Sequence, residues 1–292
     1  DNNKYIDYIM GCHPLVLGYA DADVNRAIIS QLKKGTTFSL INKLEYDVSK
    51  ILCKHIPSAE MVRFGKNGAD VTSIAIKLAR AYTSKYHVAF CGYHGWHDWF
   101  ISTTDMNLGI PDSTGKLIHK FEYNNLNSLE KIFKKYKNKI AAVIMEPLTV
   151  QKPDCYCKGF CKNPKCKVVC QNSFLNEVQK LTKANNALLI FDEIITGFRF
   201  DYGGAQNLTG VTPDLSCFAK AISNGVPLSA IVGKKEIMSL LDTVFFSFTY
   251  GGDCIGLSAS IASLKKIKEK QVIKYLYFQG KKLKDGLNTL IK

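Results

Sequence analysis

Ala187-Leu188-Leu189-Ile190-Phe191-Asp192-Glu193 is an apolar run that stops on two carboxylates. It lacks the alternation of a strand with one wet face, so it reads as a β-strand covered on both sides, the mark of a parallel sheet beneath helices. Ile140 to Met145 repeats the pattern and stops at Glu146-Pro147. His87 to Cys91 leads into Gly92-Tyr93-His94-Gly95-Trp96-His97-Asp98-Trp99, and Leu215 to Ala219 ends at Lys220 before a run of small, turn-forming residues. Helical periodicity appears over Asp23 to Leu32, Lys43 to His55 and Leu126 to Tyr136, whereas Tyr5 to Leu17 reads as strand and turn. The fold class is therefore α/β. In open sheets of this kind ligands bind beyond the carboxyl ends of the strands, so the strand-end residues carry the functional information.

The chain has 292 residues, 46% of them hydrophobic, which suffices for a large core in one large or two smaller domains. Its longest apolar runs fall far short of the roughly 20 residues that span a bilayer, and its start does not resemble a signal peptide, so the expectation is a cytoplasmic protein without a membrane partner. The net charge of +14 would suit a polyanion. The lysines, however, are spread along the chain on what read as solvated helix faces, such as Lys131, Lys134, Lys135 and Lys137, and no nucleic-acid motif accompanies them.

At the strand ends stand Tyr93, His94, Glu146, Asp192 and Lys220. A lysine at the end of an apolar strand is half in the core, and desolvation lowers its pKa toward the neutral amine that a Schiff base requires. Asn67-Gly68-Ala69-Asp70 lies between the strand-like Met61 to Phe64 and a helix carrying Val71, Ile74, Ala75, Leu78, Ala79 and Tyr82 on one face. Free backbone N–H groups at that helix start suit a phosphate, with Asn67 to Ala69 as its lip. The Tyr93-His94 loop, between two glycines, reads as a wall for a flat ring. Each feature alone has a plainer reading: a lysine that snorkels, carboxylates that cap or pair, an ordinary turn, an aromatic loop closing the core. Together they match pyridoxal 5'-phosphate, which needs a Schiff-base lysine, an acid for its pyridine nitrogen and an anchor for its phosphate.

Cys155, Cys157, Cys161, Cys166 and Cys170 crowd one segment interleaved with lysines. The spacing C-x-C-x3-C-x4-C-x3-C could hold zinc or an iron–sulfur cluster, form redox-active or disulfide thiols, or belong to an ordinary loop. It contains no C-x2-C pair.

Phe191-Asp192-Glu193-Ile194-Ile195-Thr196-Gly197-Phe198-Arg199, Thr212-Pro213-Asp214 to Lys220, and Phe248-Thr249-Tyr250-Gly251-Gly252, in that order, resemble class III pyridoxal-phosphate aminotransferases. Gly35-Thr36-Thr37-Phe38, Val62-Arg63-Phe64 and Tyr93-His94-Gly95 resemble the glutamate-1-semialdehyde 2,1-aminomutase branch. The resemblance implies the fold type I large domain, a mostly parallel seven-stranded sheet flanked by helices, over residues 36–250 with a cysteine insert at 151–171. An N-terminal segment, 1–35, would precede it and the start of a small domain, 251–292, would follow. It implies that Lys220 is the Schiff-base lysine and proton shuttle, that Asp192 keeps the pyridine nitrogen protonated and that Tyr93 stacks on the ring. Gly68 and Ala69 would bind the phosphate, and Thr249 would reach the phosphate of a neighbouring subunit in a homodimer with shared sites. Glu146 matches a family glutamate near the cofactor.

Several residues depart from that pattern. Asn67-Gly68-Ala69-Asp70 stands where the family usually has Ser-Gly-Thr-Glu, so a hydroxyl donor to the phosphate is missing, and Gly252-Asp253-Cys254 replaces Gly-Asn-Pro. The chain opens without methionine and closes on Ile291-Lys292 inside a helical pattern, so both ends read as cut from a longer protein. Arg26, Arg63, Arg80 and Arg199 are the only arginines, and they form no evident clamp for a substrate carboxylate. The leading expectation is an aminotransferase acting on amine and carbonyl substrates. The alternatives are the aminomutase and a non-catalytic, metal-binding relative.

Overall fold

The computed structural model describes residues 3–156, 170 and 172–291. Its centre is a seven-stranded sheet in the order β1-β7-β6-β5-β4-β2-β3. The strands are β1 (Met61–Gly65), β2 (His87–Cys91), β3 (Ile118–Lys120), β4 (Ile140–Met145), β5 (Leu188–Asp192), β6 (Leu215–Phe218) and β7 (Ser229–Gly233). β2 pairs in parallel with β3 and β4, and β4 to β6 continue in parallel, while β7 runs antiparallel to both β6 and β1. Every residue of β4, β5, β6 and β7 is buried, which is why their sequences show no alternation.

Helices cover both faces. Side-chain caps start several of them, among them α1 (Ala22–Leu32) on Asp21, α2 (Lys43–His55) on Asn42 with Glu45 completing a capping box, and α3 (Gly68–Thr83) on Asn67 with Asp70 doing the same. α3 buries Val71, Ile74, Ala75, Leu78 and Ala79 together with Thr72 and Ile76. That face packs on Val88, Phe90, Ile144, Ile190 and Ile231 of the sheet, while Tyr82, at the end of the helix, stays largely exposed. On the opposite face Phe133, Phe174 and Val178 pack against Val143, Leu189 and Phe191. The C-terminal helix, Val272–Ile291, buries no residue.

Tyr5 to Leu17, expected as strand and turn, has the turn but no strand. It forms turns, with Met10, Gly11, Cys12 and His13 at φ values of 51 to 79°. Four successive left-handed residues followed by Pro14 cannot extend along a sheet edge. No helix among the described residues is long and apolar enough to cross a membrane.

Because β7 is the only reversed strand among the described residues, the carboxyl ends of the other strands share one edge of the sheet. β1, β2, β4, β5 and β6 deliver Lys66, Gly92, Glu146, Asp192 and Ala219-Lys220 there, and the antiparallel β7 brings its leading residues Pro227 and Leu228 to the same edge.

Candidate active site

That edge opens into a cleft of about 560 Å³, within the usual range for a cofactor site. Lys66, Asn67, Gly68 and Ala69 line it on one side, Tyr93, Gly95 and Trp96 on another, and Glu146, Asp192 and Lys220 lie across its floor. Ile194, Ile195 and residues 225–228 complete the wall with Pro14. Gly68, Ala69, Tyr93, Glu146, Asp192 and Lys220, each singled out from the sequence, thus share one cavity.

Asp192 closes β5 and is 2% exposed. Its Oδ2 lies 2.8 Å from His94 Nδ1, and its Oδ1 accepts the Ile194 N–H at 3.1 Å. The His94 ring is buried beneath the cleft, close to parallel with Trp99 and edge-on to Phe100. An imidazole that donates from Nδ1 carries its lone pair on Nε2, and that atom has no hydrogen-bond partner. His94 therefore contacts the floor carboxylate and does not itself line the cleft.

The β2 loop is shaped by its glycines. Gly92 has φ +110°, and a Cβ there would lie 2.8 Å from Glu146 Oε1, the atom that accepts the Tyr93 N–H at 2.8 Å. Gly95 has φ +107°, and a Cβ there would lie 2.8 Å from the Cβ of Ala69. Side chains are excluded at both positions by conformation and by space, so the loop can press onto the α3 turn. Burial raises the pKa of Glu146, partly offset by the Tyr93 N–H. Tyr93 is held edge-on against Phe100 with ring centroids 5.4 Å apart, and its ring stays exposed at the cleft.

Lys220 starts a short 3-10 turn, Lys220–Ser223, at φ +52°, a left-handed conformation uncommon for a lysine. The half-buried amine has a lowered pKa because desolvation outweighs the attraction of Asp192, Cys12 and Glu146. At the α3 turn the carboxylate of Asp70 accepts the N–H groups of Lys66 and Asn67 at 3.0 and 2.9 Å. The N–H groups of Gly68 and Ala69, the first two of the helix, have no acceptor among the described residues. Free amides, a desolvated amine and a buried carboxylate in one cavity fit pyridoxal 5'-phosphate.

Thr249 is exposed and does not line the cleft of its own chain. The Sγ atoms of Cys155 and Cys170 lie 3.4 Å apart at the neck of the cysteine segment, where Tyr156 N–H and Phe174 N–H bond to the carbonyls of Asn172 and Asp154. Cys157, Cys161 and Cys166 lie outside the described residues, and among the described residues no three His, Cys, Asp or Glu side chains form a group able to hold a metal ion. Lys66 and Ile194 were not singled out from the sequence. Their signal was position alone, immediately after β1 and two residues beyond Asp192.

Residues 1–292 match the family model for aminotransferase class-III. The chain belongs to that family. It is 38% identical over 290 residues to the 3-aminobutyryl-CoA aminotransferase of Cloacimonas acidaminovorans (strain Evry), covering 97% of this chain and 65% of the relative. It is also 38% identical over 303 residues to the glutamate-1-semialdehyde 2,1-aminomutase of Methanobrevibacter smithii, covering 100% of this chain and 68% of the relative. Among solved structures, the PLP internal aldimine form of Sphingopyxis sp. MTA144 FumI superposes with a TM-score of 0.86 at 27% identity, over 98% of this chain and 66% of that one. An omega-transaminase from Sphaerobacter thermophilus gives 0.77 at 28% identity, over 89% and 62%. The chain thus spans about two thirds of the length of these proteins.

Proposed function

We propose that the protein is a pyridoxal-phosphate-dependent aminotransferase that moves an amino group between an amine or amino acid and a carbonyl acceptor. The observation that carries this reading is the approach of Lys220, Asp192 and the free α3 amides to one cleft. When bound, pyridoxal phosphate supplies an electron sink that makes the Cα proton of the amine acidic. Lys220 Nζ takes that proton and returns it to the neighbouring position, and desolvation, by holding the amine closer to neutrality, suits it to act as base. Asp192 keeps the ring nitrogen protonated, its two oxygens already oriented by His94 and the Ile194 N–H. Gly68 and Ala69 hold the phosphate through their amides, Tyr93 covers a ring face, and Glu146 and His94 support the site from below.

The related aminomutases support a second reading, intramolecular transfer of the amino group. Incubation with glutamate-1-semialdehyde alone separates the two, because only the aminomutase forms 5-aminolevulinate without a separate donor and acceptor.

The proposal extends to a homodimer in the cytoplasm, with Thr249 reaching the partner's phosphate. In its favour, Phe38, Leu40 and Ile41 are exposed, as are Phe248 and Tyr250, and the Cys254 N–H to Thr36 carbonyl bond at 2.8 Å joins the two segments. Residues 251–292 would begin a smaller domain. The deciding experiment is Lys220→Ala, which should abolish both turnover and the visible absorbance of covalently held cofactor. Normal turnover in that variant would overturn the proposal.

A further inference from the structure

Lys66 and Lys220 are the cations that line the cleft. Under the pyridoxal-phosphate reading, on which this inference rests, the amine of Lys220 is committed to the aldehyde carbon and then to the Cα proton. It is therefore not free to neutralise a phosphate, which carries a charge of about −1.5 to −2 near neutral pH. The α3 turn is short of donors for such a charge. Ala69 carries no hydroxyl, and Asp70 takes two of the turn's amides, leaving those of Gly68 and Ala69. The Asp70 carboxylate also weakens the positive field at the helix start.

Lys66 leaves the same turn one residue earlier. Its Nζ lies 2.7 Å from Asp253 Oδ2, with side chains 21% and 16% exposed, so the amine is held in a partly dry setting at the cleft. Asp253 does not depend on Lys66 for partners, because it also caps the helix Cys254–Glu269 by accepting the N–H groups of Ile255 and Gly256. An ammonium has three protons and Asp253 engages one, which leaves two for a further acceptor.

We propose that Lys66 is a phosphate ligand of the cofactor site: Nζ donates to the phosphate beside the amides of Gly68 and Ala69, and Asp253 holds the lysine in position. Lysine in this role acts as a point charge, as it does in other phosphate sites.

The test uses the full chain, stripped of cofactor and titrated with pyridoxal 5'-phosphate and, separately, with pyridoxal, which lacks the phosphate. Lys66→Met should weaken pyridoxal 5'-phosphate about tenfold or more and leave pyridoxal within about twofold. Asp253→Asn, which keeps a helix-capping side chain, should bind pyridoxal 5'-phosphate at least as well as wild type. Equal weakening for both compounds, equal weakening by both substitutions, or unchanged binding in Lys66→Met would each overturn the inference, the first two by showing that the ion pair only braces the fold. If Lys66→Met does not fold, Lys66→Gln is subject to the same comparison and the same outcomes. A wild-type chain that takes up neither compound would overturn the cofactor reading itself, a result distinct from any failure of Lys66.

Discussion

Replacing Gly95 by alanine should damage stability and cofactor binding together, and the two contributions can be separated. The backbone at Gly95 has φ +107°, outside the range a side-chain-bearing residue adopts without strain, and forcing it there costs about 1–3 kcal/mol. The added Cβ would also lie 2.8 Å from Ala69 Cβ and 3.0 Å from Ala69 Cα, where ordinary contact begins at 3.4 Å. The first turn of α3 would have to retreat, but Ile194 stands close behind Gly68, so overpacking adds roughly 1–3 kcal/mol. Gly109→Ala provides the control: its φ is +87° and a Cβ there meets nothing within 4 Å, so that variant should show the backbone contribution alone. Urea denaturation of both cofactor-free variants reads the stability difference, and titration with pyridoxal 5'-phosphate reads the displacement of the Gly68 and Ala69 amides. We expect Gly95→Ala to be the less stable by about 1–3 kcal/mol and to bind the cofactor about tenfold more weakly, with Gly109→Ala binding as wild type. Equal destabilisation by the two substitutions, with cofactor affinity unchanged in Gly95→Ala, would refute the idea that this loop braces the phosphate lip.

Asp192→Asn should still take up cofactor, since the amide keeps the shape of the side chain, but turnover should fall about a hundredfold or more, each tenfold being 1.36 kcal/mol of barrier. Steady-state rates within a few-fold of wild type would remove Asp192 from the role proposed for it. Cofactor uptake by the stripped chain should quicken with rising pH as Lys220 loses its proton, with a midpoint below the 10.5 of an ordinary lysine, and a midpoint at or above that value would count against a desolvated amine. The linkage has a definite sign: between the lowered folded pKa and 10.5 the unfolded chain binds more protons at this group, so the cofactor-free fold gains stability from it as pH rises through that window.

The sheet was legible because its strands are buried on both faces. A run such as Ile140 to Met145 can be little else once helical stretches surround it, and its last residue marks the ligand edge. The α3 turn was legible for a related reason, since Asn67 and Asp70 occupy the two positions of a capping box. What the sequence hid is contact across the fold. His94 stands next to Tyr93 in the chain, yet its ring turns beneath the cleft to meet Asp192, 98 residues away. Nothing in the sequence sets Lys66 apart from the other lysines, and its amine meets Asp253, 187 residues on. Tyr5 to Leu17 misled because its hydrophobic residues suit a strand, while the left-handed run from Met10 to His13 makes a contact far along the chain, the Arg199 guanidinium donating to the His13 carbonyl.

The cleft takes one residue or turn from each of five strand ends, and β1 and β2, consecutive in the chain, lie apart in the sheet with β7, β6, β5 and β4 between them. Lys66, Tyr93, Glu146, Asp192 and Lys220 come together only when the whole sheet has closed. A ligand bound there favours the complete sheet over every partly open form, by RT ln(1 + [L]/Kd), about 2.7 kcal/mol at a hundredfold excess over Kd. Amide hydrogens in β2, β4, β5 and β6 should consequently slow their exchange together when the cleft is filled, and in roughly equal measure.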